Sequence, residues 1–529
     1  MKTITKLIIG VSIIFSNNLK AQLNCEWLDY SLTDASYLTG IGVDNEGNSI
    51  AIGYFKEINI QNVNLTSNPY GAFNSFVCKW DPQGNLLWLK HAGKGNQNRP
   101  ESIKIDSENN IIFSGEFSYN MMVCDTTFIE DNNVGEFIMK IDKDGNCLWA
   151  KHVDFIGTFG SLPVLIDNED NIYLLTIGHT VIDGITCDGE TVITKFNKQG
   201  QILWMRSISI DIYNYSTNSA ITVVLNSDKL LIGGYYKDTV SFAGNTFIPD
   251  IEMSINPYTG DTLFFSSREV LIGIMDTAGY EIAAINITSV GNHTIEAITV
   301  NNSEEIFISG KYTADTINIA GNIVTGGGSY LSKFSSYFNY VKANNIESVD
   351  ICGATATNNF IYYASQNIDY MLINTYDFNC NLISTKLIGN VNLQPEYPTS
   401  LAKFPNDDIL LGGHYIDELE IDSLIAAGSP HSQYKIFSCR FSDLSTGINK
   451  IMVNNNLDLY PNPTSDIFII ENKENIEINA IEILNLNGKV VKQFSSTNTQ
   501  LDLSDIVSGL YIVKIKHKTG HLTKKIIIQ

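Results

Sequence analysis

The residues whose spacing could do chemistry are the carboxylates of a repeated turn. Asp81–Asn85 and Asp142–Asn146 read Asp-x-x-Gly-Asn, and Asp44–Asn48 and Asp167–Asn171 are similar. A calcium loop needs oxygen ligands at alternate positions, Gly at the sixth and Glu at the twelfth. Asp142-Lys143-Asp144-Gly145 puts its Gly fourth and has no such Glu in register, so these residues suit tight turns through local hydrogen bonding and positive φ. His91 and His152 stand at equivalent places after Trp88 and Trp149. A catalytic histidine is normally unique, so a repeated one is expected to pack. No GxSxG, HExxH, Walker A or dinucleotide fingerprint occurs, and no catalytic residue, metal ligand or cofactor is assigned. The abundant acidic residues leave open a carboxylate pair for glycoside chemistry.

The elements that carry these residues repeat. FVCKWDPQGNLLWLKH at 76–91 returns as IMKIDKDGNCLWAKH at 138–152 and ITKFNKQGQILWMR at 193–206. Each is a hairpin ending in Trp. A second hairpin precedes it, as at Ser102–Phe117 and in IGVDNEGNSIAIGYF at 41–55. Four short strands per unit match a propeller blade. The count predicts an all-β, seven-bladed β-propeller over 22–441, with six or eight blades as alternatives. Units of roughly 58 residues exceed known blade repeats, and the excess is expected in loops. The last unit lacks its fourth strand, while Asn24-Cys25-Glu26-Trp27 aligns with Asn146-Cys147-Leu148-Trp149. The N-terminal strand is therefore expected to pair with Ile436–Phe441 and close the ring, with a Cys25–Cys439 bridge open as an option. The repeated Trp27, Trp88, Trp149 and Trp204 are expected to pack between blades rather than form a carbohydrate platform.

The formal charge is −23, and 22–456 holds 23 basic against 49 acidic residues. That balance argues against nucleic acid or an anionic membrane as partner. Eight scattered cysteines contain no CxxC, so neither zinc nor thioredoxin-like chemistry is indicated, and thiols and disulfides both remain open. Lys2, Lys6, the apolar run Leu7–Phe15 and Leu19-Lys20-Ala21 read as a signal peptide over 1–21. No later stretch is long and apolar enough for a transmembrane helix.

After a linker at 442–456, residues 457–529 read as about seven short strands, a small Ig-like β-sandwich. Tyr460, Pro461, Asn462 and Pro463 open it, Asn487-Gly488 turns a hairpin, Gly509, Leu510 and Tyr511 begin a strand, and Lys524 and Lys525 mark the last one. LYPNPTSD, INAIEILNLNGKVVKQF, LDLSDIVSGLYIVKI and TKKIIIQ together resemble the type A C-terminal sorting domain of the Bacteroidetes type IX secretion system. The resemblance implies passage through the periplasm, handling by the type IX machinery and its processing peptidase, and a secreted or outer-surface location, released or attached to lipopolysaccharide. Residues 25–441 are more loosely similar to bacterial SBBP-type propeller repeats.

The expected function is a binding or adhesion module for a glycan or protein ligand. A secreted hydrolase of polysaccharide or peptide, with its site at the propeller channel, is the alternative. Recognition is expected on the face of the fourth-to-first and second-to-third strand loops. The sequence points there to Pro249, Met253, Pro257, Tyr258, Phe264 and Phe265, with Tyr213 and Tyr215 on another such loop.

Overall fold

Short runs of β-branched and aromatic residues, separated by Asp, Asn and Gly turns, favour antiparallel strands. The computed structural model contains strands and no helix among the described residues. Those are 23–67, 71–156, 163–210, 222–225, 229–255, 262–266, 269–289, 291, 293–346, 350–367, 370–389, 397–416, 418–427 and 433–443, then 457–460, 464, 467–472, 478–485, 489–495, 500–517 and 520–528. The expected signal peptide, and all of the linker beyond Asp443, lie outside them. The chain divides into two compact units, Met1–Ser445 and Thr446–Gln529.

In the first unit, sets of four antiparallel strands follow one another. Ser36–Val43, Ser49–Phe55, Asn74–Trp80 and the start of Leu86–Ile105 make the first set. The end of Leu86–Ile105 opens the second, with Ile111–Val123, Thr126–Ile141 and Cys147–Ile156. Later sets open with Val164–Ile166, Thr222–Leu225, Ala297–Val300 and Asp350–Ala356. The last comprises Tyr397–Lys403, Ile409–Tyr415, Lys435–Asp443 and the N-terminal strand Leu23–Tyr30. Trp27 stands opposite Arg440 there, as the alignment of strand ends predicts. Each opening strand lies against the opening strand of the next set, and Tyr397–Lys403 lies against Ser36–Val43.

Among the described residues, part of the surplus length is strand rather than loop. Between second and third strands, several sets carry a two-stranded arm, such as Glu57–Ile60 with Val63–Thr66 and Thr316–Ile319 with Asn322–Thr325. The arms turn on pairs with positive φ, among them Gln61-Asn62 and Ala320-Gly321. That is the backbone of a primed two-residue turn, whose twist suits a hairpin.

Between sets, one contact recurs. Lys140 Nζ lies 2.7 Å from Asp106 Oδ2 within its own set and donates to the carbonyl of Lys198, 3.2 Å away, in the following one. Lys79 does the same with Asp44 and Lys143, Lys195 with Asp167 and Thr277, and Arg440 with Asp408 and Pro82. Trp149 and Trp204 donate their indole N–H to those same carbonyls of Lys198 and Thr277. The repeated Trp thus joins neighbouring sets, as expected from its repetition. The turn aspartates are spent on turn geometry: Asp44 Oδ1 accepts from the N–H of Glu46 and of Asn48.

A disulfide joins Cys124, in the turn of one arm, to Cys147. Cys25 and Cys439 are buried thiols, and the optional bridge between them is not formed. The register explains this, since Cys25 faces Phe441 and Cys439 faces Leu28, an offset along the strands.

In the second unit, Leu457–Tyr460, Ile467–Asn472 and Gln500–Asp502 form one sheet. Val490–Phe494, Ile478–Leu484, Gly509–His517 and Gly520–Ile528 form another. Phe468, Ile481, Ile483, Leu501, Val513 and Ile526 are buried together in this unit.

Candidate functional site

Where the opening strands begin and the second strands end, the last, first and second sets present matching pairs. Tyr397 stands opposite His414, Tyr37 opposite Tyr54, and Arg99 opposite Glu116. Tyr434 and Phe73, each immediately or one residue before a third strand, complete the aromatic trio of the last and first sets. This is the face on which recognition is expected, although the sequence pointed to other residues of it.

The rings pack into one partly exposed group. Tyr37 stacks on Tyr54 with centroids 4.7 Å apart, Phe73 meets Tyr54 edge-on at 5.3 Å, and His414 meets Tyr434 at 4.9 Å. Tyr37 bridges the two trios, 5.4 Å from Tyr434 and 6.1 Å from His414. Such offset and edge-on pairs are worth about 0.5–1.5 kcal/mol beyond burial, enough to hold the surface in shape before any ligand arrives.

Its polar groups are tuned by burial. Desolvation pushes His414 down to about 4, so the imidazole is neutral at physiological pH, and its Nδ1 has no hydrogen-bond partner among the described residues. Burial, then the neighbouring Tyr397 and Tyr37, push Tyr434 up to about 12. The Arg99 guanidinium lies 4.8 Å over the Tyr54 ring and donates to the Tyr54 hydroxyl and to Glu116, both at 3.3 Å. Lys56 Nζ sits 4.9 Å from the Phe73 ring. Aromatic faces, a half-exposed Arg99 and exchangeable hydroxyls together offer stacking and hydrogen bonding to an uncharged or mixed ligand.

Along the same strands lies a cavity of about 430 Å³, lined by Thr39, Glu101, Lys104, Thr355, Ser400 and Lys403 among others. Thr39 is two residues from Tyr37 and Glu101 two from Arg99, so the aromatic group and the cavity are neighbours along each strand. Beside Glu101, the buried Glu136 carboxyl is raised well above the usual range by burial and by the charges of Glu101 and Glu116.

The residues expected from sequence fall elsewhere. Pro249 is buried just before the strand Ile251–Ile255, on which Met253 pairs with Phe264 of Thr262–Ser266. Phe265 lies on that second strand, opposite Glu252. Pro257, Tyr258, Tyr213 and Tyr215 lie outside the described residues, as do Pro461, Asn462, Pro463, Asn487 and Gly488 of the tail. Tyr460 pairs with Ile469, and Gly509, Leu510 and Tyr511 pair with Ile528, Ile527 and Ile526. Lys524 and Lys525 pair with Val513 and Ile512. His91 and His152 pack at repeated positions, each 5.3 Å from a phenylalanine ring, Phe55 and Phe117. The aromatic group was missed because its members lie at strand ends hundreds of residues apart. Its one sequence signal is that Tyr37 and Tyr397 occupy the same place in their units.

Known proteins resemble parts of this chain. A stretch of 151 residues is 29% identical to an uncharacterized WD repeat-containing protein of Acanthamoeba polyphaga mimivirus, covering 26% of this chain and 11% of that relative. Among solved structures, the β-propeller domain of the Trilobed protease from Pyrococcus furiosus aligns with TM-score 0.41 and 8% identity, over 79% of this chain and 98% of that one. The C-terminal WD40 domain of Sif2 aligns with TM-score 0.37 and 11% identity, over 78% and 97%. A polysaccharide lyase, an ulvan lyase, aligns with TM-score 0.42 and 10% identity, over 74% and 93%. Residues 458–529 match the family model of the secretion system C-terminal sorting domain. The tail is that sorting domain, and it implies export by the type IX secretion system to the cell surface or the extracellular space.

Proposed function

We propose that this protein is an exported binding module, carried out of the cell by its tail, whose ligand seats on the aromatic group of Tyr37, Tyr54, Phe73, Tyr397, His414 and Tyr434. The observation that carries the reading is that two adjacent sets place trios of partly exposed rings, at matching positions, side by side. In this reading the sets are the blades of a seven-bladed propeller, supported by the circular succession of opening strands and by the pairing of Leu23–Tyr30 with Lys435–Asp443. The signal peptide takes the chain into the periplasm. The type IX machinery recognises the Ig-like tail, its processing peptidase removes it, and the passenger is released or attached to lipopolysaccharide. The segment carrying Pro249, Met253 and Phe264 is proposed from the sequence as a second, lesser contact.

Isothermal titration of the full chain with chito-, cello-, laminari- and manno-hexaose, and with collagen and fibronectin, tests the assignment. At least one is expected to bind, and Tyr37→Ala with Tyr434→Ala to weaken it more than tenfold. Unchanged binding in that variant would refute the site.

A hydrolase is the second reading, favoured by the raised Glu136 carboxyl beside Glu101 at the cavity. Release of reducing ends by the full chain, lost in Glu101→Gln, would replace binding with turnover.

A further inference from the structure

The first unit carries far more acid than base, and half of its described lysines are claimed by carboxylates. Lys79, Lys140, Lys195, Lys333 and Lys386 each have one within reach. Lys104 is different. It lines the 430 Å³ cavity, and its side chain makes no ion pair or hydrogen bond among the described residues. Burial alone lowers its affinity for the proton, with no neighbouring carboxylate to offset it. By surface exposure Lys104 is partly buried rather than held from water, and a ligand charge in the cavity would lower the cost of its partial desolvation.

Register locates the group. Lys104 pairs with Ile112 and Lys403 with Ile409, so both stand near the turns that follow the opening strands. Glu101 sits three residues back, towards the aromatic group. The turn carboxylates near the lysines are already committed: Asp44 to Lys79, Asp106 to Lys140 and Asp408 to Arg440. Among the described residues, Lys403 reaches only an amide oxygen, that of Asn302, at 3.4 Å. Hydroxyls of Thr355 and Ser400 line the same space.

We propose that the turn-side end of this cavity is an anion site in which Lys104, with Lys403, receives one oxyanion group, a carboxylate, sulfate or phosphate. The volume lies within the range of small-ligand sites and admits a group of monosaccharide size. This site does not depend on the aromatic group being a binding surface, although a ligand entering past Tyr37 would reach it.

The full chain is titrated at low salt with glucuronate, inorganic phosphate and sulfate, with glucose as the neutral control. At least one oxyanion is expected to bind and glucose not to. Lys104→Met should weaken the oxyanion at least tenfold, Lys104→Arg should retain it, and Tyr37→Ala should leave it unchanged. Glucuronate alone would point to a sugar-borne carboxylate, and phosphate or sulfate to a free inorganic ion. If Lys104→Met does not fold, protection of Lys104 from acylation by the same oxyanions, read by peptide mass, decides the matter. No oxyanion binding, equal binding of glucose, equal affinity in a folded Lys104→Met, or no protection of Lys104 would each overturn the proposal. Loss of hexaose or protein binding in Tyr37→Ala with oxyanion binding intact separates the two sites.

Discussion

The indole N–H of Trp27 donates to the carbonyl of Pro82 at 3.3 Å, and Arg440 donates to that same oxygen at 2.7 Å. One carbonyl in the first set therefore fastens two adjacent strands of the last, one from each end of the unit. Trp27→Ala removes the ring and the bond together and is expected to cost about 3 kcal/mol, the low end for a large aromatic because Trp27 is only partly buried. Trp27→Phe keeps most of the packing and should cost about 1 kcal/mol, the usual worth of one hydrogen bond. Urea midpoints of the two variants check the order.

Gly84 turns beneath that ring with φ of 85°, and a Cβ there would lie 2.8 Å from the Trp27 indole. Gly184 has a similar φ of 78° and nothing within 4 Å. Both Gly→Ala changes strain the backbone by about 1 kcal/mol, so the difference between them isolates the collision. Gly84→Ala should be the more destabilising of the two, and equal melting temperatures would contradict the contact.

Glu296 is buried, and burial raises its carboxyl to about 7 despite Lys311 and the N–H of Ile351 nearby. A raised folded value means the folded protein holds the proton more tightly. The stabilising contribution is whole below the unfolded value of 4.5 and is lost as pH climbs through about 7. The loss should approach about 3 kcal/mol. Comparing urea midpoints at about pH 5 and about pH 8 measures it, and Glu296→Gln should flatten the difference.

Removing 457–529 should leave the rest of the chain inside the cell envelope, because the sorting domain lies within that span. Fractionation and antibody labelling of intact cells check this. Surface labelling equal to the full chain would contradict an export role for the tail.

The repeat was legible because its hairpins keep Lys, Gly and Trp at fixed spacing, and those residues make the Lys140–Lys198 and Trp149–Lys198 contacts between sets. Trp27 was placed by the same pattern. The arms were not legible as strands, since three or four residues around Ala320-Gly321 carry too short an alternation to distinguish from a loop. The aromatic group was hidden for a different reason. Tyr37, Tyr54 and Tyr434 become neighbours only through tertiary packing, and no local period marks a strand end as exposed. Lys104 looked like any alternating lysine, because its lack of a partner depends on where Asp44, Asp106 and Asp408 are spent.

The pairing of Leu23–Tyr30 with Lys435–Asp443 has a consequence in time as well as in space. The strand Leu23–Tyr30 must wait, its edge unsatisfied, until some four hundred residues later its mate is synthesised. That last pairing therefore cannot form until Lys435–Asp443 has been made. The interval leaves an unpaired strand edge open until its mate arrives.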